Sequence, residues 1–113
     1  MKRKVTMILV QDAQGNGEPM HYAVQTNGDV KKHLPEKTNV LHNNQEAIVI
    51  GLHPAQEGKF KGRLTGSQEH ALFDKIVEIT EKYPAAKVAD TVCGSVHVKT
   101  WLSNYTPILD LAA

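Results

Sequence analysis

The stretch that decides the fold is VTMILV at residues 5–10, a short apolar run rich in β-branched side chains. Gln11 and Asp12 follow it directly and close it. Such a run predicts a β-strand, and apolar side chains on both of its faces place it in the interior of a sheet. AIVIGL at residues 47–52 has the same character and predicts a second interior strand.

Weaker signals around these two runs complete the predicted sheet. Asn27-Gly28 is a strong hairpin signal, since both residues tolerate the positive φ that a type I′ turn requires. Polar and glycine-containing segments predict loops between the strands. The further predicted strands cover residues 21–26, 29–34 and 87–92, and the predicted loops cover residues 35–45 and 56–66.

Residues 67–83 carry apolar side chains at intervals of three and four, which predicts an amphipathic helix that packs on the sheet. Thr65 and Gln68 have the spacing of a capping box, in which each side chain satisfies a backbone N–H of the other residue. Pro84 ends this helix, and a shorter one is predicted at residues 97–104. The predicted fold class is a mixed α/β domain with about five strands, one long helix and a short C-terminal helix.

The composition is that of one ordinary globular domain, over residues 1–113. Thirteen Lys and Arg against twelve Asp and Glu leave a net charge of +1, which gives no argument for nucleic-acid or membrane binding. The single cysteine, Cys93, excludes an intrachain disulfide and a thiolate cluster for zinc. A signal-peptide-like run and a long apolar span are both missing, so we expect a cytoplasmic protein.

Several short motifs are informative because of their order along the chain. They are MHY (20–22) with NGDV (27–30), AIVIGL (47–52), TGSQ (65–68) and CGSVHVKTW (93–101). Together they resemble the type 2 N-acetylmuramoyl-L-alanine amidases and the related peptidoglycan-recognition domains. The matching parts of that family are its hairpin, its central strand, the start of its long helix and its C-terminal segment from Cys to Trp. The resemblance covers nearly the whole chain and implies an amidase-like mixed sheet.

The resemblance also implies where a zinc site would be, and the chain departs from the family there. Active members hold zinc with two His and one Cys, and the metal activates a water that cleaves the amide to L-alanine. Here Gln11 stands in place of the first His and Asp90 in place of the second, while Cys93 keeps its position. A neutral amide is a poor zinc ligand. No catalytic residue, metal or other cofactor is therefore predicted.

The predicted function is that of a non-catalytic binding protein, which takes a small muropeptide-like or other anionic ligand, or a partner protein. Two alternatives stay open: a zinc-dependent amidase with unconventional ligands, and a structural or assembly protein of phage or mobile-element origin. Each candidate also has a plainer interpretation as a strand residue, a solvated loop residue or, for the cysteine, a small buried side chain. The candidate ligand-binding residues are Gln11, His21, Tyr22, Lys59, Arg63, Asp90 and Cys93.

Self-association is predicted from the interior strands. Because both are apolar on two faces and both helices are expected on one side, the other face of the sheet should lie bare. A large exposed apolar patch predicts a homo-oligomer, most simply a symmetric dimer. The alternative cover is the tail at residues 105–113 (YTPILDLAA), folded back across the patch.

Overall fold

The computed structural model describes residues 5–12, 19–38, 40–42, 44–53, 64–93 and 96–105, and it confirms the mixed α/β class. Among the described residues, five strands precede the first helix and three shorter ones lie between the two helices. In chain order they are β1 (Met7–Asp12), β2 (Tyr22–Val24), β3 (Val30–Lys32), β4 (Leu41–His42), β5 (Gln45–Leu52), α1 (Gly66–Lys82), β6 (Lys87–Val88), β7 (Val92–Cys93), β8 (Val96–His97) and α2 (Val98–Asn104).

The main sheet has the strand order β3-β2-β5-β1-β6 over the described residues, and β4 pairs with the beginning of β5. β2, β5, β1 and β6 are mutually parallel, whereas β3 and β4 run antiparallel to their neighbours. Since the four parallel strands point the same way, their carboxyl ends lie along one edge of the sheet, which we call the carboxyl edge. β7 and β8 form a separate antiparallel pair.

Helix α1 begins at the predicted capping box. The Gln68 N–H donates to Thr65 Oγ1 and the Thr65 N–H donates to Gln68 Oε1, both at 3.1 Å. The helix runs over Gly66–Lys82, one residue earlier than predicted at each end, and its buried apolar residues are Leu72, Ile76 and Ile79. The local spacing was therefore sufficient to place both the start and the face of this helix.

The larger core lies between the sheet and the two helices. Alternate residues of β1 and β5 point into it, and residues of α1 and α2 pack against them on the same side, as expected. Period-two alternation gives each strand one set of side chains for this face. The central buried members are Ile8, Val10, Ile48, Ile50, Leu52, Leu72, Ile76, Ile79 and Val98.

The opposite face of the sheet is not bare, and the expectation that it would be was wrong. Leu9, Ala47 and Val49 are 5%, 0% and 1% exposed. Met20 and Val40, from the connections before β2 and β4, pack against them together with other partly buried residues. Connections rather than a third helix cover this face, so the reason for expecting a homo-oligomer has no support here. Residues 106–113 of the tail lie outside the described residues.

Most strands begin or end one or two residues away from their predicted boundaries. Two further differences follow from specific contacts. β4 lies in the segment predicted as loop, where it pairs with β5, which starts at Gln45. The strand predicted over residues 87–92 is divided into β6 and β7. Between them, the Thr91 hydroxyl donates a hydrogen bond to the Val10 carbonyl at 2.7 Å, in place of a backbone N–H. Of the loop predicted at residues 56–66, residues 56–63 lie outside the description. No helix in the described ranges is long and apolar enough to cross a membrane.

Candidate functional site

The carboxyl edge brings Gln11 and Asp90 into one neighbourhood. The Ala89 N–H donates to the Ile8 carbonyl at 2.9 Å, and the Thr91 hydroxyl donates to the Val10 carbonyl at 2.7 Å. The chain after β6 therefore stays beside β1 as far as Thr91. Gln11 is half-buried at the end of β1, and Asp90 is exposed. These are the two positions at which the family resemblance implies zinc-binding histidines.

Gly51 is the neighbour of Gln11 on β5, because the two residues are paired in the parallel ladder. Paired residues of neighbouring strands share a face of the sheet. Val10 points toward α1, so Gln11 and the position of Gly51 belong to the opposite face. The amide of Gln11 therefore has a residue without a side chain as its neighbour on β5.

The chain connections that leave β1 and β5 cross each other at this edge of the sheet. β1 is followed by β2, which lies beyond β5 on one side, whereas β5 leads through α1 to β6, which lies beyond β1 on the other side. In open α/β sheets, ligands bind in the crevice outside the carboxyl ends of the strands. The position of Gln11 thus matches the general location of ligand sites in such folds.

Gln68 attaches the first turn of α1 to the same edge. Its side chain is completely buried, and Nε2 donates to the carbonyl of His53 at 2.8 Å and to that of Val24 at 3.4 Å. The Thr65 hydroxyl donates to the Thr26 carbonyl at 2.6 Å. Sequence reasoning found the cap but missed these bonds to β2 and β5. The one available signal was that residue 68 is a glutamine rather than a glutamate. Its amide has an oxygen for the cap and also two N–H donors, which a carboxylate lacks.

The hairpin turn before β3 packs against the start of α1. The hairpin was predicted correctly, but its type I′ turn was not: Gly28 has a φ of +91°, whereas Asn27 is not among the described residues with positive φ. A Cβ at Gly28 would lie 3.0 Å from both the Cβ and the carbonyl oxygen of Ser67. Close approach and positive φ together restrict this position to glycine.

His21 is a structural residue, which corrects its prediction as a ligand contact. The side chain is completely buried, and the Val49 N–H donates to its Nδ1 at 3.0 Å. Because Nδ1 accepts, Nε2 carries the proton, and it lies 2.8 Å from the Thr38 carbonyl oxygen that accepts it. Both ring nitrogens thus serve backbone groups, and the ring joins β5 to the segment after β3.

Tyr22 is also engaged within the fold, on the sheet face opposite to Gln11. Its hydroxyl donates to Glu36, and Lys75 Nζ lies 4.3 Å from the centre of its ring. Lys82 completes the cluster with an ion pair to Glu36 at 3.0 Å. We call these four residues the Glu36 cluster. Its members are far apart in sequence, so no local pattern could predict it.

The pKa shifts of this cluster follow from its geometry. Burial, assisted by the bond to Glu36, raises the pKa of Tyr22. Burial alone would raise the pKa of Glu36, but the bonds from Tyr22 and Lys82 outweigh it, so the net pKa is lowered. The bond to Glu36 raises the pKa of Lys82. At neutral pH, Tyr22 is therefore neutral, while Glu36 and Lys82 form a carboxylate–ammonium pair.

The donor set at the carboxyl edge does not fit zinc. Within the described ranges, no three His, Cys, Asp or Glu residues are grouped so that they could hold a metal ion. Gln11 offers a neutral amide where zinc prefers imidazole or thiolate. Cys93 contributes its backbone to β7, and its side chain lies outside the description, as do Lys59 and Arg63.

Comparisons with protein-family models, with curated proteins and with solved structures found no match for this chain. They neither support nor refute the resemblance to the amidases, which stays a prediction based on the order of its motifs. Of the seven predicted site residues, Gln11 and Asp90 are the two whose chain segments run side by side at the carboxyl edge.

Proposed function

We propose that this domain is a non-catalytic binding protein on an amidase-like fold, and that it holds a small polar ligand at the carboxyl edge beside Gln11 and Asp90. The observation that carries the proposal is that the chain after β6 runs beside the end of β1 at the carboxyl ends of the parallel strands, the side of an open α/β sheet on which ligands bind.

The side chains at this position are suited to hydrogen bonding. The Gln11 amide both donates and accepts, whereas the Asp90 carboxylate accepts from N–H and O–H groups. Val92, which is 54% exposed, adds an apolar contact nearby. A ligand that contains amides and hydroxyl groups, such as a muropeptide fragment, matches these groups. The choice of a muropeptide follows from the family resemblance, whereas the expectation of a hydrogen-bonding ligand follows from the side chains of Gln11 and Asp90.

Gln11 also supports binding over catalysis. In the amidases, the two histidines and the cysteine hold the metal that makes water nucleophilic at neutral pH. An amide cannot replace imidazole in that role, since it binds zinc weakly and does not accept a proton at neutral pH. We therefore expect protein purified without chelators to contain no stoichiometric zinc and to leave peptidoglycan uncleaved. A one-to-one zinc content that is lost in Cys93→Ala would instead support the amidase alternative.

The binding proposal is tested by calorimetric titration with N-acetylmuramoyl-L-alanyl-D-isoglutamine. We expect saturable binding that weakens about tenfold in Gln11→Ala and in Asp90→Ala, the loss of roughly one good hydrogen bond. Lys99→Ala is the control, because Lys99 is exposed on α2. Absence of binding, or equal affinity in all four proteins, would overturn the proposal for this ligand class.

A further inference from the structure

Strand β3 is an open edge of the sheet, since β2 is its partner and no other described strand pairs with it. All three of its residues are exposed. The His33 N–H donates to the His21 carbonyl at 2.9 Å, and the Gln25 N–H donates to the Asp29 carbonyl at 2.8 Å. In an antiparallel pair, such hydrogen-bonded positions alternate with positions whose backbone groups point away. Val30 and Lys32 therefore turn their N–H and C=O groups outward.

Strand β3 also carries two adjacent lysines. Lys31 and Lys32 project on opposite faces of β3, and Lys37 is exposed in the segment that follows. The ion pairs within the described residues use other lysines, Lys75 and Lys82. Glu36, the carboxylate nearest to Lys37 in sequence, is already bound by Tyr22 and Lys82. Asp29 is exposed directly before the strand, so the local positive charge is that of Lys31 and Lys32 on β3 and of Lys37 after it.

We propose that the open edge of β3 docks an extended acidic segment of a partner protein, which adds to the sheet as a further strand. The outward groups of Val30 and Lys32 supply main-chain hydrogen bonds, and the exposed Val30 side chain supplies apolar contact. Acidic side chains on both faces of the added strand would meet Lys31 and Lys32. A second copy of this chain does not fit, because like charges directly opposite each other destabilise a strand pair. β2 and β5 separate this edge from Gln11, so the two proposals are independent.

Binding is measured by NMR titration with a short peptide of glutamate and valine residues, and with its lysine-for-glutamate counterpart. The glutamate and valine residues of the acidic peptide alternate in pairs (Glu-Glu-Val-Val), so that glutamates lie on both faces of the added strand. We expect this peptide to bind, with amide shifts centred on Val30 and Lys32, and its binding to weaken as salt is added. The lysine peptide should not bind. The doubly charge-reversed variant Lys31→Glu/Lys32→Glu should lose about tenfold or more in affinity, whereas the control Lys99→Glu should change it less than about twofold.

A proline substitution separates main-chain pairing from simple charge attraction. Lys32→Pro removes an outward N–H and leaves the ladder to β2 intact, a position where an edge strand tolerates proline. It should bind the acidic peptide several-fold more weakly than Lys32→Ala, which loses the same charge. The proposal is overturned if the acidic peptide fails to bind, if charge reversal leaves its affinity unchanged, or if Lys32→Pro and Lys32→Ala bind equally well.

Discussion

Gln68 shows how a single buried amide can position a helix. It has no exposed surface, its oxygen accepts from the backbone of its own N-cap, and its nitrogen reaches carbonyls at the ends of β2 and β5. A buried polar group is stable only when such partners are present. The first turn of α1 is thereby attached to the carboxyl edge, where we place the ligand site.

Gln68→Glu should lower the free energy of unfolding by about 2–4 kcal/mol, although glutamate suits the same position of a capping box. The carboxylate would face the carbonyl oxygens of His53 and Val24 without a donor between them. Thr65→Ala should cost about 1 kcal/mol, the usual value for loss of a cap. Chemical denaturation measures both changes. A Gln68→Glu loss no larger than that of Thr65→Ala would contradict this role of the amide.

Thr65 and His21 show which hydrogen bonds could be predicted from the sequence at the residue scale and which could not. Thr65 and Gln68 are three positions apart, so their reciprocal cap is encoded locally and was predicted correctly. The ring of His21 bonds to Val49, which is 28 positions away, and to Thr38, 17 positions away. Those partners exist only after the sheet has formed. His21 was therefore named as a candidate ligand-binding residue, with a plain strand residue as the alternative, and the structure places its ring in the interior.

At the scale of elements, α1 is held by its buried stripe as well as by its first turn. Leu72 is completely buried and Ile76 is 4% exposed, and both belong to the larger core. The helix was predictable because its apolar spacing repeats over several turns. β4 and β7 were not, because two-residue strands have no period and depend on the strand that pairs with them.

Leu72→Ala and Ile76→Ala should each lower the free energy of unfolding by about 2–5 kcal/mol, because each leaves a cavity between α1 and the sheet. Val77, the next residue along the helix, is 38% exposed. Its replacement by alanine is the matched control and should cost less than about 1 kcal/mol. Urea denaturation of the three variants provides the comparison. Similar losses at Val77 and Ile76 would mean that the helix presents another face to the sheet.

The Glu36 cluster links the segment after β3 to α1, and it should make stability depend on acid. The pKa of Glu36 is lower in the folded chain than its ordinary value of 4.5, so the unfolded chain takes up a proton first as the pH falls. The stabilisation is complete above the ordinary value and is lost as the pH falls through the folded value. Glu36→Gln should therefore cost about 1–3 kcal/mol at neutral pH and almost nothing in strong acid.

Denaturation curves at successive pH values test this dependence, with Glu81→Gln on the exposed side of α1 as the control. The curves of the wild-type chain and Glu36→Gln should converge toward low pH, whereas those of the control should follow the wild type throughout. A constant difference between wild type and Glu36→Gln at every pH would show that the Glu36 carboxylate contributes no charge-dependent stability.

At the scale of the whole molecule, features encoded by local patterns could be predicted, and features that depend on contacts distant in sequence could not. Two apolar runs, a hairpin and one amphipathic helix are local patterns, and they were enough for the fold class. The cover of the second face was not predictable, because Met20 and Val40 come from connections without regular structure. Gln11 and Asp90 were brought together only by the resemblance, since they are distant in sequence and neither belongs to a recognisable motif.

The amidase-like arrangement of the whole chain can be tested by restoring its missing ligands. If β1, the segment after β6, and β7 are arranged as in the amidases, then Gln11→His combined with Asp90→His should complete a zinc site with Cys93. We expect this double variant to bind about one zinc ion per chain, measured by elemental analysis after dialysis, and to unfold at a higher temperature when zinc is present. Addition of Cys93→Ala should abolish the binding, and Gln11→Ala combined with Asp90→Ala is the matched control. A folded double-histidine variant without zinc would show that the three positions do not converge, and that the resemblance does not extend to the geometry of the site.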